Sequence, residues 1–239
     1  MKRETLTYQA DGLTMKSELF FEPNGRSRPG VLVFPEAYGL NEHALSRAER
    51  LASIGYVALA CDLHGEAQVV EDLGVSIKML DGLYADPSKT RARAAGGLRA
   101  LASRPEVDPK RVGAIGFCFG GTMALELARS GADIKTVVGF HSGLTSVAPK
   151  TDAKAIKACV LVCIGADDPF IPPEQRANFE TEMRDGGVDW QMYIYGNTVH
   201  SFTNPNAANA NRPDAVRYSL EADRRSWEAM LDIFAESFA

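Results

Sequence analysis

The chain has 239 residues, 45% hydrophobic and 24% charged, with a formal net charge of −5. At roughly 100–200 residues per domain this suits one large domain spanning 1–239, and the composition excludes a disordered, collagen-like or disulfide-scaffold chain. The acidic balance removes the electrostatic drive for nucleic acid, and no apolar run approaches the roughly 18 residues of a membrane span. Four cysteines in a chain of this length fit a reducing cytoplasm better than a disulfide framework, so a cytoplasmic protein, monomeric or homodimeric, is expected.

Two alternating runs, Glu4–Ala10 and Leu13–Phe21, flank Asp11-Gly12, a hairpin turn signal. From Pro29-Gly30 onward the pattern becomes continuous apolar runs: Gly30–Pro35, Gly55–Cys61, Arg111–Phe117, Thr136–Phe140 and Ala158–Gly165, with a further strand at Asp189–Tyr195. Strands that read this way are covered on both faces, as in parallel sheets. Helical spacing lies between them. Asn41 caps a helix reaching Ile54. Asp86-Pro87 opens one reaching Ser103, and Pro172-Pro173 one ending at Gly186-Gly187. Val216, Leu220, Trp227, Leu231 and Phe234 recur as on a long C-terminal helix. The alternation predicts an α/β fold, a mostly parallel doubly wound sheet with an antiparallel N-terminal hairpin at its edge. The segments 62–85, 142–155 and 201–212 read as loops that shape a pocket.

The segment that carries chemistry is Arg111–Arg129, where a buried strand runs into a helix through Gly116-Phe117-Cys118-Phe119-Gly120. This is the glycine–nucleophile–glycine turn with cysteine as nucleophile. A nucleophile held at such a tip needs strained backbone, so only small residues fit two positions to either side. The helix N-terminus favours a thiolate. A phosphate-cradling reading lacks both the G-x-G-x-x-G spacing and a following Gly-Lys-Ser/Thr; a plain core cysteine is the bland alternative. In this fold an acid and then a histidine follow the nucleophile, each after a later strand. Asp167 or Asp168 and then His200 satisfy that order. His43 reads as a helix-surface residue, and His64 and His141 as strand-end residues without a downstream acid. The four histidines are scattered with no ligand spacing, so neither a metal site nor a cofactor is expected. Cys159 and Cys163 share one face of a strand and read as packing. Lys89–Arg93 reads as a solvated helix face.

Glu36 after an apolar strand, Gly116-x-Cys118-x-Gly120-Gly121, Asp168-x-Phe170-Ile171-Pro172 and His200-x-Phe202 together resemble the dienelactone hydrolase family of α/β-hydrolases, over about residues 5–236. The resemblance implies an α/β-hydrolase fold, with Cys118 as nucleophile, His200 as base and Asp168, rather than Asp167, as the acid. It also implies that Glu36 holds the resting thiol away from the histidine, and that the backbone N–H groups of Phe119 and Ala37 form the oxyanion hole. The Phe119 donor follows from the turn geometry as well. Family members acting on dienelactone carry a basic residue four positions after the histidine. Here that position is Asn204, so Arg91 or Arg93 becomes the substitute candidate for a cation. Tyr38, Tyr84, Phe119, Phe202 and Asn204 are the candidate substrate contacts.

The expected activity is hydrolysis of carboxylic esters or lactones with good leaving groups, such as aryl or enol esters, through a thioester acyl-enzyme, with slow phosphotriester hydrolysis as a side reaction. The rivals are a dienelactone hydrolase acting on an acidic lactone and a catalytically silent hydrolase fold serving as a ligand sensor. The expected partner is a small-molecule ester or lactone, with neither nucleic acid nor membrane.

Overall fold

The computed structural model describes residues 1–23 and 25–239. Strands β1 (Lys2–Ala10) and β2 (Leu13–Phe21) form the expected hairpin, paired from Lys2↔Phe21 to Ala10↔Leu13. Asp11 and Gly12 both sit at positive φ, 51° and 71°, as the tight twisted turn between two right-handed strands demands. Six more strands follow: β3 (Arg28–Phe34), β4 (Val57–Ala60), β5 (Val107–Phe117), β6 (Thr136–Phe140), β7 (Cys159–Gly165) and β8 (Trp190–Tyr195). The eight form one sheet in the order β1-β2-β4-β3-β5-β6-β7-β8. β2 pairs antiparallel to β1 and β4, and every pairing from β4 to β8 is parallel. This is the α/β-hydrolase fold.

Alternate side chains of the central strands feed two cores. Leu32, Phe34, Ala114, Val137 and Val162 face one side. There they meet α3 (Pro87–Ala102), α4 (Phe119–Arg129) and α6 (Pro173–Gly186). Val31, Val33, Ile115, Val138 and Leu161 face the other, against α1 (Glu42–Ser53) and α7 (Leu220–Ser237). Burial on both faces is why these strands read as unbroken apolar runs rather than alternating ones. Cys159 and Cys163 fall together on the second face, and all four cysteines are free.

The predicted caps recur. Asn41 Oδ1 accepts from the Ala44 N–H at 3.3 Å, and Asp86 Oδ1 accepts from the Ser88 N–H at 3.1 Å. Two of the expected loops are in part helical, with α2 at Leu73–Ala85 and α5 at Pro149–Ala155, and Ala207–Ala210 forms a 3-10 turn. Val216 does not open the last helix: it lies before it, bridged to His200, and Ser219 provides the cap instead. Arg91 and Arg93 are not solvated cations. Arg91 pairs with Glu126 at 2.7 Å and Asp152 at 2.8 Å, and Arg93 with Asp11 at 2.9 Å. Among the described residues no helix is long and apolar enough to cross a membrane.

Candidate active site

The carboxyl ends of the parallel strands share one edge of the sheet, where open α/β sheets place their ligand crevice. Cys118 joins β5 directly to α4 and holds φ 54° and ψ −120°, outside the allowed regions for a side-chain-bearing residue. The glycines around it are there for space. A Cβ at Gly116 would stand 2.0 Å from the Gly120 carbonyl oxygen, one at Gly120 2.2 Å from the Phe34 carbonyl oxygen, and one at Gly121 2.4 Å from Ser142 Oγ.

Asp168, on the turn after β7, is buried, whereas Asp167 is exposed. Its Oδ1 accepts from the Phe170 N–H at 2.9 Å and its Oδ2 takes His200 Nδ1 at 2.8 Å. That bond leaves the other ring nitrogen of His200, Nε2, for the Cys118 sulfur, whose charge acts on the ring. Burial by itself would lower the His200 imidazole. The charge and hydrogen bond of Cys118, with those of Asp168, outweigh burial and raise it to about 10. The Phe170 ring stands edge-on to His200 at 5.1 Å.

Glu36 follows β3 and is 2% exposed. Its carboxylate accepts from Ser201 Oγ at 2.9 Å and Asn204 Nδ2 at 2.5 Å, and His43 Nδ1 lies 3.5 Å away. Burial would raise this carboxyl, but the His43 imidazole, with smaller help from His141 and Ser201, reverses the effect and lowers it to about 2. The family resemblance implies a resting thiol turned toward Glu36. In this structure both carboxylate oxygens of Glu36 are engaged by the loop that follows His200.

Cys118, His200 and Glu36 open into one cavity of about 550 Å³. Tyr38, Tyr84 and Phe119 line it as expected, with Tyr84 edge-on to Phe119 at 4.9 Å. Ala37 and Phe119 border it too. Among the described residues neither of their N–H groups is taken by a hydrogen bond within the chain, so both are available to an oxyanion. Phe202 and Asn204 are corrections. Phe202 is fully buried against His141 and Tyr195, and Asn204 turns its amide to Glu36, because Ser201 at φ 53° bends the chain inward.

Sequence reasoning missed several contributors. Ile77, Leu80 and Leu83 of α2 supply an apolar wall, and Thr122 and Glu126 of α4 reach the floor. Glu126 is neutralised there by Arg91 and Arg129. Arg212 reaches the rim with its guanidinium 5.8 Å from the Phe170 ring centre, and among the described residues no carboxylate forms an ion pair with it. His43 is no surface residue but a buried one beside Glu36. His141 is fully buried against the elbow itself.

The dienelactone hydrolase family model matches residues 17–238. The solved structure named m3DLH is 46% identical to this chain, covers 100% of it and 99% of its own length, and superposes with a TM-score of 0.95. A structure described as a dienelactone hydrolase-like promiscuous phosphotriesterase, P91, from metagenomic libraries is 44% identical, with coverage of 100% and 99% and a TM-score of 0.94. A Bradyrhizobium protein named as a probable 2-oxo-3-(5-oxofuran-2-ylidene)propanoate lactonase is 30% identical over 203 residues, 79% of each chain.

Proposed function

The chain belongs to the dienelactone hydrolase family and is a hydrolase of ester or lactone bonds, and from that premise we propose that it cleaves carboxylic esters or lactones with good leaving groups by a Cys118–His200–Asp168 triad. The supporting observation is Cys118, on its strained elbow, and an Asp168-held His200 on the wall of one largely apolar cavity. A binding module has no use for that arrangement, which disfavours the ligand-sensor reading.

In this mechanism an imidazolium at His200 stabilises the sulfur as thiolate, the nucleophilic form. The sulfur attacks the substrate carbonyl carbon, and the Phe119 and Ala37 N–H groups receive the oxyanion, each contributing about 3–4 kcal/mol of transition-state stabilisation. As the adduct collapses to a thioester, His200 gives its proton to the leaving alkoxide or phenoxide. Acylation removes the sulfur's charge, the largest of the influences that raise His200. Burial then favours the neutral ring, which can take a proton from the deacylating water. Water adds to the thioester, the thiolate is expelled, and the acid leaves. Asp168 holds the tautomer throughout.

A thiolate is expelled from the tetrahedral adduct more readily than a poor alkoxide. Aryl and enol esters should therefore exceed alkyl esters and amides. Glu36 serves in this reading to anchor the His200 loop through Ser201 and Asn204. Its low pKa makes it a weak acceptor for a thiol proton. The test is a single-turnover reaction with p-nitrophenyl acetate followed by intact-protein and peptide mass spectrometry. An acetyl group on Cys118 and no turnover by Cys118→Ala are expected; undiminished turnover by that variant would move the nucleophile elsewhere. Slow phosphotriester hydrolysis belongs to the same proposal, supported by the name of the 44%-identical structure. It requires release of more than one p-nitrophenolate per active site from paraoxon.

Arg212 favours a second reading, an acidic lactone or ester whose carboxylate lies at the rim. In that case Arg212→Ala lowers kcat/KM for a carboxylated aryl ester and leaves the neutral ester unchanged. Equal values for both substrates would remove this reading.

A further inference from the structure

His141 directly follows β6 and is fully buried, with its backbone at φ 41°. Cys118 at φ 54° and Ser201 at φ 53° likewise sit at positive φ. Strained backbone in side-chain-bearing residues persists only where the surroundings over-determine it, and it gathers at functional sites. These three residues follow or form the ends of β5, β6 and the His200 turn.

The His141 ring joins two of them. The Cys118 N–H donates to Nδ1 at 3.1 Å, while also directed at the Phe140 carbonyl at 3.0 Å. A ring nitrogen that accepts carries no proton, so the proton is on Nε2, 2.8 Å from Thr203 Oγ1. Thr203 stands in the loop just beyond His200. Its carbonyl is gripped from the far side by the Arg47 guanidinium, which pairs with Asp223 at 2.9 Å. One neutral imidazole therefore ties the backbone of the nucleophile to the loop that presents the base. The surroundings would accept a hydrocarbon ring more cheaply: Phe117 lies at 6.2 Å and Phe202 at 5.2 Å between ring centres. Burying an imidazole among them costs desolvation unless both nitrogens are used, and here both are.

Neutrality is part of the arrangement. An imidazolium would aim an N–H at the Cys118 N–H and place a second positive charge 5.0 Å from the His200 ring. Burial, and then the charge of His200, hold His141 well below the ordinary histidine value.

We propose that His141 is a positioning residue for the reaction set out above: by accepting the Cys118 N–H and donating to Thr203, it fixes the angle at which the sulfur meets His200. The proposal rests on the triad reading, and three variants separate it from simple packing. His141→Asn keeps an acceptor at the place of Nδ1. His141→Gln can reach Thr203 but offers nothing to Cys118. His141→Phe fills the volume and bonds neither. With p-nitrophenyl acetate, Phe and Gln are expected to lower kcat roughly 10- to 100-fold with KM nearly unchanged, the scale of a misplaced catalytic group, and Asn is expected to recover most of the loss. Thermal melts establish that each variant is folded. A folded Phe variant with wild-type kcat overturns the proposal. So does an Asn variant no better than Gln, a comparison that stands even where Phe fails to fold. The rate of Cys118 alkylation by iodoacetamide reads the sulfur's placement without any ester. It should change in Phe and Gln and hold in Asn even if Cys118→Ala were to retain hydrolysis, so failure of the triad reading and failure of this proposal are told apart.

Discussion

The Asp168 carboxylate takes His200 Nδ1 at 2.8 Å while the adjacent Asp167 is turned to solvent. The two acids are one residue apart, and burial distinguishes them: Asp168 is 3% exposed. A carboxylate in that position fixes the tautomer and stabilises the imidazolium. Asp168→Asn should therefore lower kcat for p-nitrophenyl acetate by about 10²- to 10⁴-fold, and Asp167→Asn should stay within about threefold of wild type. Similar losses in the two variants would undo the assignment.

The ring of His200 offers a second check, read by NMR rather than by turnover. Its pKa is raised to about 10, chiefly by the charge of the Cys118 sulfur acting against burial. A folded-state value above the ordinary histidine value of about 6.5 means stabilisation that is complete below about 6.5 and is lost as pH rises through about 10. Histidine ring resonances in the intact protein should report His200 protonated through neutral pH. In Cys118→Ala the same resonances should titrate at clearly lower pH. An unchanged titration in that variant would show that the sulfur is not the cause.

The elbow predicts a strong contrast between glycines. A Cβ at Gly116 meets backbone atoms of Gly120 and Gly121 at 2.0 to 2.5 Å, which no rotamer change relieves. Gly116→Ala should cost about 3 kcal/mol or more, or prevent folding. Gly82 lies within α2 with nothing within 4 Å of its added Cβ. Gly82→Ala should stabilise by about 0.5–1 kcal/mol through helix propensity. Urea unfolding of the two variants measures both, and a tolerated alanine at 116 would contradict the close-packed turn.

Residues whose role is set by local geometry were legible in the sequence; those set by distant partners were not. The parallel strands announced themselves because both faces are covered, so Val31–Phe34 and Val160–Ile164 have no polar alternation. The strained elbow at Cys118 announced itself because Gly116 and Gly120 are demanded by close contacts at that turn. His43 and His141 gave no such sign. Their partners stand 160 and 62 residues away, at the Thr203 carbonyl and hydroxyl, and nothing adjacent to either histidine marks it. Helix α2 was hidden for a different reason. Leu80 and Leu83 are buried while Val75, Ile77 and Tyr84 stay exposed, because the helix borders an open cavity. Its apolar residues therefore do not fall on one stripe. Asn204 misled because a position counted from His200 assumes a straight course, and the turn at Ser201 reverses it.

Glu36 and Asn204 lie 168 positions apart in the chain and 2.5 Å apart in the fold, and that contact makes the last prediction. Burial opposes ionisation of Glu36, yet the neighbouring His43 imidazole, with smaller help from His141 and Ser201, lowers it to about 2. A carboxyl depressed from its ordinary range of about 4.3 contributes stability that is present above that range and lost as pH falls through about 2. Glu36→Gln removes the charge but keeps the shape, so its melting temperature should lie below wild type at pH 7. That gap should narrow steadily below pH of about 4, as wild type gives up the same contribution. A gap that does not change with pH would assign the loss to hydrogen-bond geometry instead of charge. The same variant addresses the thiol. With both carboxylate oxygens held by Ser201 and Asn204, alkylation of Cys118 at neutral pH should change little, while kcat falls through the loosened His200 loop. A large acceleration of alkylation would instead make Glu36 a guard of the thiol.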